Sequence, residues 1–310
     1  MKMANQSVLA GFVLLGLSDQ PKLERTFFVR ILSMYLVILL GNGVLILVTI
    51  HDSRLHTPMY FFLGNLSFLD ICYTTSSVPL ILDSFLTPRK TIPFSACAMQ
   101  MFLSFAMGAT ECVLLGMMAF DRYVAICNPL LYNVAMSPNV CSLLMLGSYL
   151  MAFSGAMAHT GCILRLTFCD ANTINHYLCD ILPLLQLSCT STYVNELVVL
   201  IVEGINVIVP TVTIFVSYGF ILSSILRISS TEGRSKAFST CTAHIIAVTL
   251  FFGSGAFMYL KPSSAGSMDE GKISSVFYTN VVPMMNPFIY SLRNKDIKIA
   301  VRNTLNRRQF

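Results

Sequence analysis

Met118-Ala119-Phe120-Asp121-Arg122-Tyr123-Val124-Ala125-Ile126-Cys127-Asn128-Pro129 sets an acid beside a base at the end of a long apolar segment. Ionisable residues at membrane depth are expensive, so each is by default a candidate functional group. An Asp-Arg pair at a helix end also has a plainer reading, as snorkelling charges that mark the membrane edge. The choice depends on where the surrounding chain puts the pair.

Outward from that stretch, the chain is 55% hydrophobic and only 11% charged, with a mean hydropathy of +0.70. A soluble domain carries about 25% charged residues. One core could not hide this much apolar surface from water. The net charge of +5 is modest and forms no continuous basic stripe, which argues against a nucleic-acid partner. The composition is that of a protein embedded in the lipid bilayer.

A helix needs about 20 apolar residues to span hydrocarbon. Windows of that kind run from Ile31 to Ile50, Pro58 to Leu82, Phe94 to Cys127, Val140 to Thr160, Glu196 to Leu226, Ala237 to Leu260 and Ile273 to Leu292. They predict an all-α membrane protein, a seven-transmembrane helix bundle. Residues 1–26 are expected to form an extracellular N-terminus, 27–292 the bundle, and 293–310 a cytoplasmic tail. Asn5-Gln6-Ser7 is a glycosylation acceptor in the polar N-terminus, which suits the outer side. Asn65-Leu66-Ser67 falls inside an apolar helix and reads as a chance match. Arg293, Lys295, Lys298, Arg302, Arg307 and Arg308 suit the cytoplasm. Val8 to Leu17 is short and lacks a cleavage pattern, so the first span is expected to serve as an uncleaved insertion signal. Lys295 to Asn306 reads as a short amphipathic helix on the inner surface, with Ile297, Ile299, Val301 and Leu305 as its apolar residues.

The ten cysteines sort by side. Cys72, Cys112, Cys127, Cys141, Cys162 and Cys241 fall within or beside apolar helices and are expected to be free packing residues. Cys97, Cys169, Cys179 and Cys189 lie on the oxidising side. Four cysteines allow three pairings, and one or more could stay free. Cys97–Cys179 would tie the third helix to the loop before the fifth, leaving Cys169–Cys189 to close a hairpin. Pinned in that way, a loop of about thirty-five residues can roof a cavity.

The opening stretch resembles the signature of olfactory receptors, within the rhodopsin-like G-protein-coupled receptors. Four further segments carry the resemblance in the expected order. These are Pro58-Met59-Tyr60-Phe61-Phe62-Leu63, Ser217-Tyr218, Lys236-Ala237-Phe238-Ser239-Thr240-Cys241, and Pro283-Met284-Met285-Asn286-Pro287-Phe288-Ile289-Tyr290 running on through Ser291-Leu292-Arg293-Asn294. The resemblance implies that Asp121 holds Arg122 in the resting state, with Tyr123 completing the motif. On activation Arg122 would turn toward the G protein and toward Tyr218 and Tyr290. Arginine suits such a switch because it stays charged and can exchange planar partners. Asn286 and Pro287 belong to an Asn-Pro-x-x-Tyr hinge, since proline frees a backbone carbonyl. Arg234 and Lys236 would help to frame the G-protein site.

Asp70, Glu111 and Asn286 are expected to meet near the membrane middle, with Asn42 close by. Facing carboxylates cannot both stay ionised cheaply, so a proton on one or a cation between them is expected, and the resemblance implies a sodium ion near Asp70. No other cofactor and no other metal site is indicated.

For the ligand, Met101, Ser104, Phe105, Gly108, Ala109 and Cys112 recur at helical spacing and share one face of the third helix. Opposite them are expected Glu203, Asn206 and Val207 of the fifth helix, Phe252, Gly255, Ala256 and Tyr259 of the sixth, and Thr279 of the seventh. Apolar lining with a few polar anchors suits a small molecule. Glu203 could bind a polar or amine-bearing ligand or merely bond a neighbour, and His159 reads as a satisfied packing residue. The chain contains no tryptophan, so the sixth-helix toggle of the wider receptor class is absent. Phe252 stands where olfactory receptors usually have tyrosine.

Other classes fit less well. No internal repeat suggests a transporter. Five scattered histidines, with no His-Glu-x-x-His and no Gly-x-Ser-x-Gly, argue against an enzyme. No lysine lies between Ile273 and Leu292 to carry a retinal Schiff base. The resemblance therefore implies a plasma-membrane odorant receptor that activates a stimulatory olfactory-type G protein and raises cyclic AMP. The same fold sensing another small molecule elsewhere is the alternative.

Overall fold

In hydrocarbon there is no water to bond the backbone, so the apolar windows must fold as helices that satisfy their own N–H and C=O groups. The computed structural model of the protein describes residues 11–17, 21–87, 91–169, 172–260, 272 and 275–306. Its long helices are α1 (Pro21–His51), α2 (Pro58–Leu86), α3 (Phe94–Cys127), α5 (Pro138–Leu164), α7 (Tyr193–Leu226) and α8 (Thr231–Leu260). Two short helices lie between them, α4 (Tyr132–Ala135) and α6 (Ile181–Gln186). The seventh span joins a π-helical turn, Phe277–Val281, to α9 (Val282–Arg293), and α10 (Lys295–Asn306) closes the chain. The protein is a seven-helix bundle with a short C-terminal helix, and it passes the membrane several times.

Five of these helices are long and apolar enough to cross a membrane by length and composition: α1, α3, α5, α7 and α8. α2 falls short in hydropathy because it buries a polar row, Ser67, Asp70, Thr74 and Ser77. The seventh span is interrupted by its π turn. Several helices outrun their apolar windows: α1 begins at Pro21 rather than Ile31, and α8 at Thr231 rather than Ala237. The charged ends reach into the headgroup layer, where long side chains can snorkel. Proline opens α2 and α5, a position where its missing N–H costs nothing.

α3 is the axis, packed against α2, α5, α7 and α8. Half of its apolar window is buried, against 17% for α7. Leu200 and Phe215 of α7 are more than two-thirds exposed, as suits a lipid-facing surface. A side chain on Gly116 would come within 3.2 Å of Pro210, so glycine is what lets α3 and α7 approach. Asn65 is part of α2, where it donates to the Phe61 carbonyl at 2.9 Å. In α10, Ile297 and Ala300 are buried whereas Ile299 is 46% exposed. Ile299 therefore does not share the packed face, because two residues turn a helix by about 200°. The side chain of Leu305 lies outside the described residues, as does Asn5.

The outer end carries strands that the helical expectation did not include. β1 (Phe12–Leu14) lies between β2 (Thr91–Ile92), antiparallel, and β3 (Thr173–Ile174), parallel. Phe12 is fully buried and meets Phe168 edge-on, with ring centroids 5.2 Å apart. A Cβ on Gly11 would come within 2.5 Å of the Ile92 carbonyl oxygen. The segment near the N-terminus is thus a structural clasp over the loops. Phe12→Ala should cost about 3–5 kcal/mol through the cavity it leaves. A lowered melting temperature of the detergent-solubilised protein is expected, and an unchanged one would remove the clasp from the stability of the fold.

Candidate functional site

Beneath that clasp lies a cavity of about 580 Å³ between α3, α5, α7, α8 and the seventh span. Small residues on α3 open it: Ser104, Gly108 and Ala109 leave space where larger side chains would fill the bundle. Met101, Phe105 and Cys112 complete that wall. Glu203, Asn206 and Val207 come from α7, Phe252, Gly255 and Ala256 from α8, and Thr279 from the π turn. The side chain of Tyr259, at the outer end of α8, lies outside the described residues.

The loop between α5 and α7 supplies the roof, and periodicity along the helices could not have found it. Cys97–Cys179 ties that loop to the top of α3, and Cys169–Cys189 closes the hairpin within it. Cys179 N–H also donates to Gln100 Oε1 at 3.2 Å. His176, Leu178, Cys179, Asp180 and Ile181 then line the cavity from above. Tyr177 is buried beside them and donates to Ser275 Oγ at 2.9 Å. Burial pushes its hydroxyl up to about 12, so it remains a donor. His176 Nδ1 accepts from the Leu178 N–H at 3.1 Å, which needs an unprotonated nitrogen. Burial lowers its pKa from the ordinary 6.5, with Asp180 opposing and Lys272 reinforcing the shift.

Other wall residues escaped the helical pattern, among them Tyr73 of α2, Thr160 and Ile163 of α5, Phe251 of α8 and Tyr278. Phe251 and Phe252 pack edge-on at 5.2 Å, and Phe251 also meets Tyr278 at 5.5 Å. His159 differs from the satisfied packing residue expected of it. It lines the cavity with its ring 4.3 Å from that of Phe105, and its buried Nε2 has no hydrogen-bond partner. Proximity to a loop that folds back over α5 is what the sequence concealed.

Below the cavity is a polar core. Asn286 Nδ2 donates to Asp70 Oδ2 at 2.9 Å, while Asp70 Oδ1 has no partner. Glu111 is buried at the same level and within electrostatic reach of Asp70. Asn42 turns its amide elsewhere, to the carbonyls of Ile38 and Pro283 at 3.1 and 3.2 Å, and its buried Oδ1 is also unpartnered. Ser291 Oγ donates to the Pro287 carbonyl at 2.5 Å within α9.

At the inner end, Asp121 is fully buried and its side chain is saturated. Oδ2 accepts from Arg122 Nε at 3.1 Å and Nη2 at 2.7 Å, and Oδ1 accepts from the Tyr132 hydroxyl at 2.7 Å. The Arg122 side chain is only 14% exposed, so the two form a buried ion pair rather than a surface marker. Losing one partner of such a pair costs about 3–5 kcal/mol. Tyr132 was not legible in advance, because only the turn of α4 after Pro129 brings it back under α3. Tyr123 packs against Phe120 and Phe220, and its hydroxyl accepts from Asn128 Nδ2 at 3.3 Å.

Neither Tyr218 nor Tyr290 bonds Arg122 in this structure. His244 Nε2 lies 3.1 Å from the Leu115 carbonyl, which can only accept, so that nitrogen carries the proton. Nδ1 then accepts from the Tyr218 hydroxyl at 2.5 Å. Tyr290 is buried with its hydroxyl unpartnered. Arg234 Nε donates to the Ile228 carbonyl at 2.6 Å, and Lys236 is exposed nearby.

A family profile described as olfactory receptor matches residues 31–308. The chain is 62% identical to olfactory receptor 8B8 of Mus musculus, over 96% of each chain. It is 60% identical to olfactory receptor 8B3 of Homo sapiens, covering 97% of this chain and 96% of that one. Among solved structures, squid rhodopsin superposes with a TM-score of 0.74 at 18% identity, over 93% of this chain and 87% of that one. That likeness bears on the fold.

The roof carries a pH dependence. With the pKa of His176 held below 6.5, the unfolded chain takes up a proton that the folded loop resists. Its contribution to stability is therefore full above 6.5 and is lost as pH falls through the folded value. The melting temperature should fall between about pH 7.5 and about pH 5.5, and His176→Gln should flatten the fall. An equal fall in both proteins would exclude His176 as the cause.

Proposed function

Because the chain belongs to the olfactory receptor family, we propose that it is an odorant receptor whose ligand, a small volatile molecule, binds in the cavity beneath the disulfide-pinned loop. The observation that carries this is the shared helix. α3 lines the cavity with Ser104, Gly108 and Ala109 and bears the buried Asp121–Arg122 pair at its other end. The ligand favours a state in which the inner ends of α7 and α8 move outward and Arg122 leaves Asp121 for Tyr218 and Tyr290. Reversing a population from about 1:99 to 99:1 requires about 5.5 kcal/mol of differential affinity.

The opened inner face, with Arg234 and Lys236 beside it, receives a stimulatory olfactory-type G protein, and cyclic AMP rises. The N-terminal side is extracellular and the protein sits in the plasma membrane. In support, β1 pairs with the bridged loop, and disulfides persist in an oxidising compartment. Residues 27–292 are the receptor unit between an outer N-terminus and a cytoplasmic tail, and Asn5 is its glycosylation site.

The polar core suits a sodium ion. Asp70 Oδ1 and Asn42 Oδ1 are buried oxygens without partners, and Glu111 adds a second carboxylate. Oxygen ligands are what a hard cation takes. Bound there, the ion would balance the two acids and hold the resting packing.

In cells bearing the full chain, an odorant panel should raise cyclic AMP. Asp121→Asn should raise the basal level several-fold, and Arg122→Ala should abolish the evoked response. Odorant responses that run only through another second messenger would overturn the stimulatory coupling. Glu111→Gln should remove any dependence of basal signalling on external sodium; unchanged dependence would dismiss the ion.

A further inference from the structure

The charged side chains around the cavity are of one sign among the described residues. Asp180 and Glu203 bring two carboxylates to its wall, and among the described residues no lysine or arginine lines it. His176 does not offset them, since its pKa is held below 6.5 and its Nδ1 is already accepting a backbone N–H. Asp180 uses one oxygen on the Ile181 N–H at 2.7 Å. Glu203, by contrast, has no ion-pair partner among the described residues.

Two further lining groups are left without a partner. Asn206 spends its amide N–H on the Val202 carbonyl at 2.9 Å, which leaves its buried Oδ1 as an acceptor with nothing to accept. His159 Nε2 is likewise buried and unpartnered. Both residues are 5% exposed. Leaving such groups unpaired is costly, so a ligand that donates to Asn206 Oδ1 gains what the unpaired oxygen forgoes. Glu203 and Asn206 are three residues apart and so share a helix face. The facing wall of Met101, Phe105 and Phe252 is apolar.

We infer that the preferred ligand class is a small aliphatic or aromatic amine, its ammonium group donating to Glu203 and Asn206 and its apolar body against α3 and α8. The inference rests on the odorant-receptor reading. It also implies weaker binding of carboxylic acids, whose charge would face Asp180 and Glu203; Lys272 acts on His176 but does not line the cavity. Alcohols fall between, because a hydroxyl can satisfy Asn206 without neutralising an acid.

The test uses the full-length receptor, with surface staining as control, and three probes of one chain length: octylamine, 1-octanol and octanoic acid. Half-maximal cyclic AMP responses should come at about tenfold lower concentration for the amine than for the acid, the loss expected for one charge-assisted bond. Glu203→Gln should raise the amine value by about tenfold while moving the alcohol by less than about threefold. Glu203→Asp, which keeps the charge, should retain the order of the three. Equal potency of acid and amine overturns the inference, as does an unchanged amine response in Glu203→Gln. Silence to all three probes at a surface-expressed receptor also overturns it. Silence to the wider odorant panel is a separate result, and that one defeats the receptor reading beneath.

Discussion

No water is available inside the hydrocarbon to bond a stray polar group, and the rest of the structure follows from that constraint. The backbone answers it by folding into helices. Hydroxyls answer it locally: Thr49, Thr74, Thr110 and Ser148 each bond a carbonyl four residues back in their own helix. Acids answer it with partners, as Asp121 does with Arg122 and Tyr132. What remains unpaired is then informative. Among the described residues, Asp70, Asn42, His159, Asn206 and Tyr290 each keep a buried atom without a partner, in the cavity, the polar core and α9, while Asn195 of α7 and Asn280 of the π turn are two more. Unmet polar demand is concentrated where ligands, ions and moving helices would meet it.

α3 turns these separate places into one device. From Cys97 to Asp121 it runs about 36 Å at 1.5 Å per residue, enough to cross the bilayer core. One end is tied to the loop by Cys97–Cys179 and by Gln100, its middle touches α7 through Gly116, and its other end bears the Asp121–Arg122 pair. Tyr218 and His244 add a second inner contact that joins α7 to α8 and, through the Leu115 carbonyl, both to α3. Separating α8 from α3 at this level would break the bond to the Leu115 carbonyl.

Legibility varied with how local each feature is. Positions 101, 104, 105, 108, 109 and 112 all reach the cavity because a 3.6-residue period is written directly in the chain. Glu203 and Asn206 follow the same rule on α7. His176, Leu178 and Asp180 were not legible, since a non-helical loop has no period that says which side chains point down. Phe12 was hidden for a related reason. A three-residue strand has meaning only once β2 and β3 lie beside it.

By itself the sequence determined the spans, the inner face of α3, the sorting of cysteines by side and the presence of an acid–base pair at a helix end. Span length and helical period are local properties, set by bilayer thickness and backbone geometry. Tertiary structure alone decided that Tyr132 closes on Asp121, that Tyr218 turns to His244 and which side chains of the bridged loop line the cavity. Those contacts join different elements, and the packing of whole helices, which no single segment encodes, sets their distances.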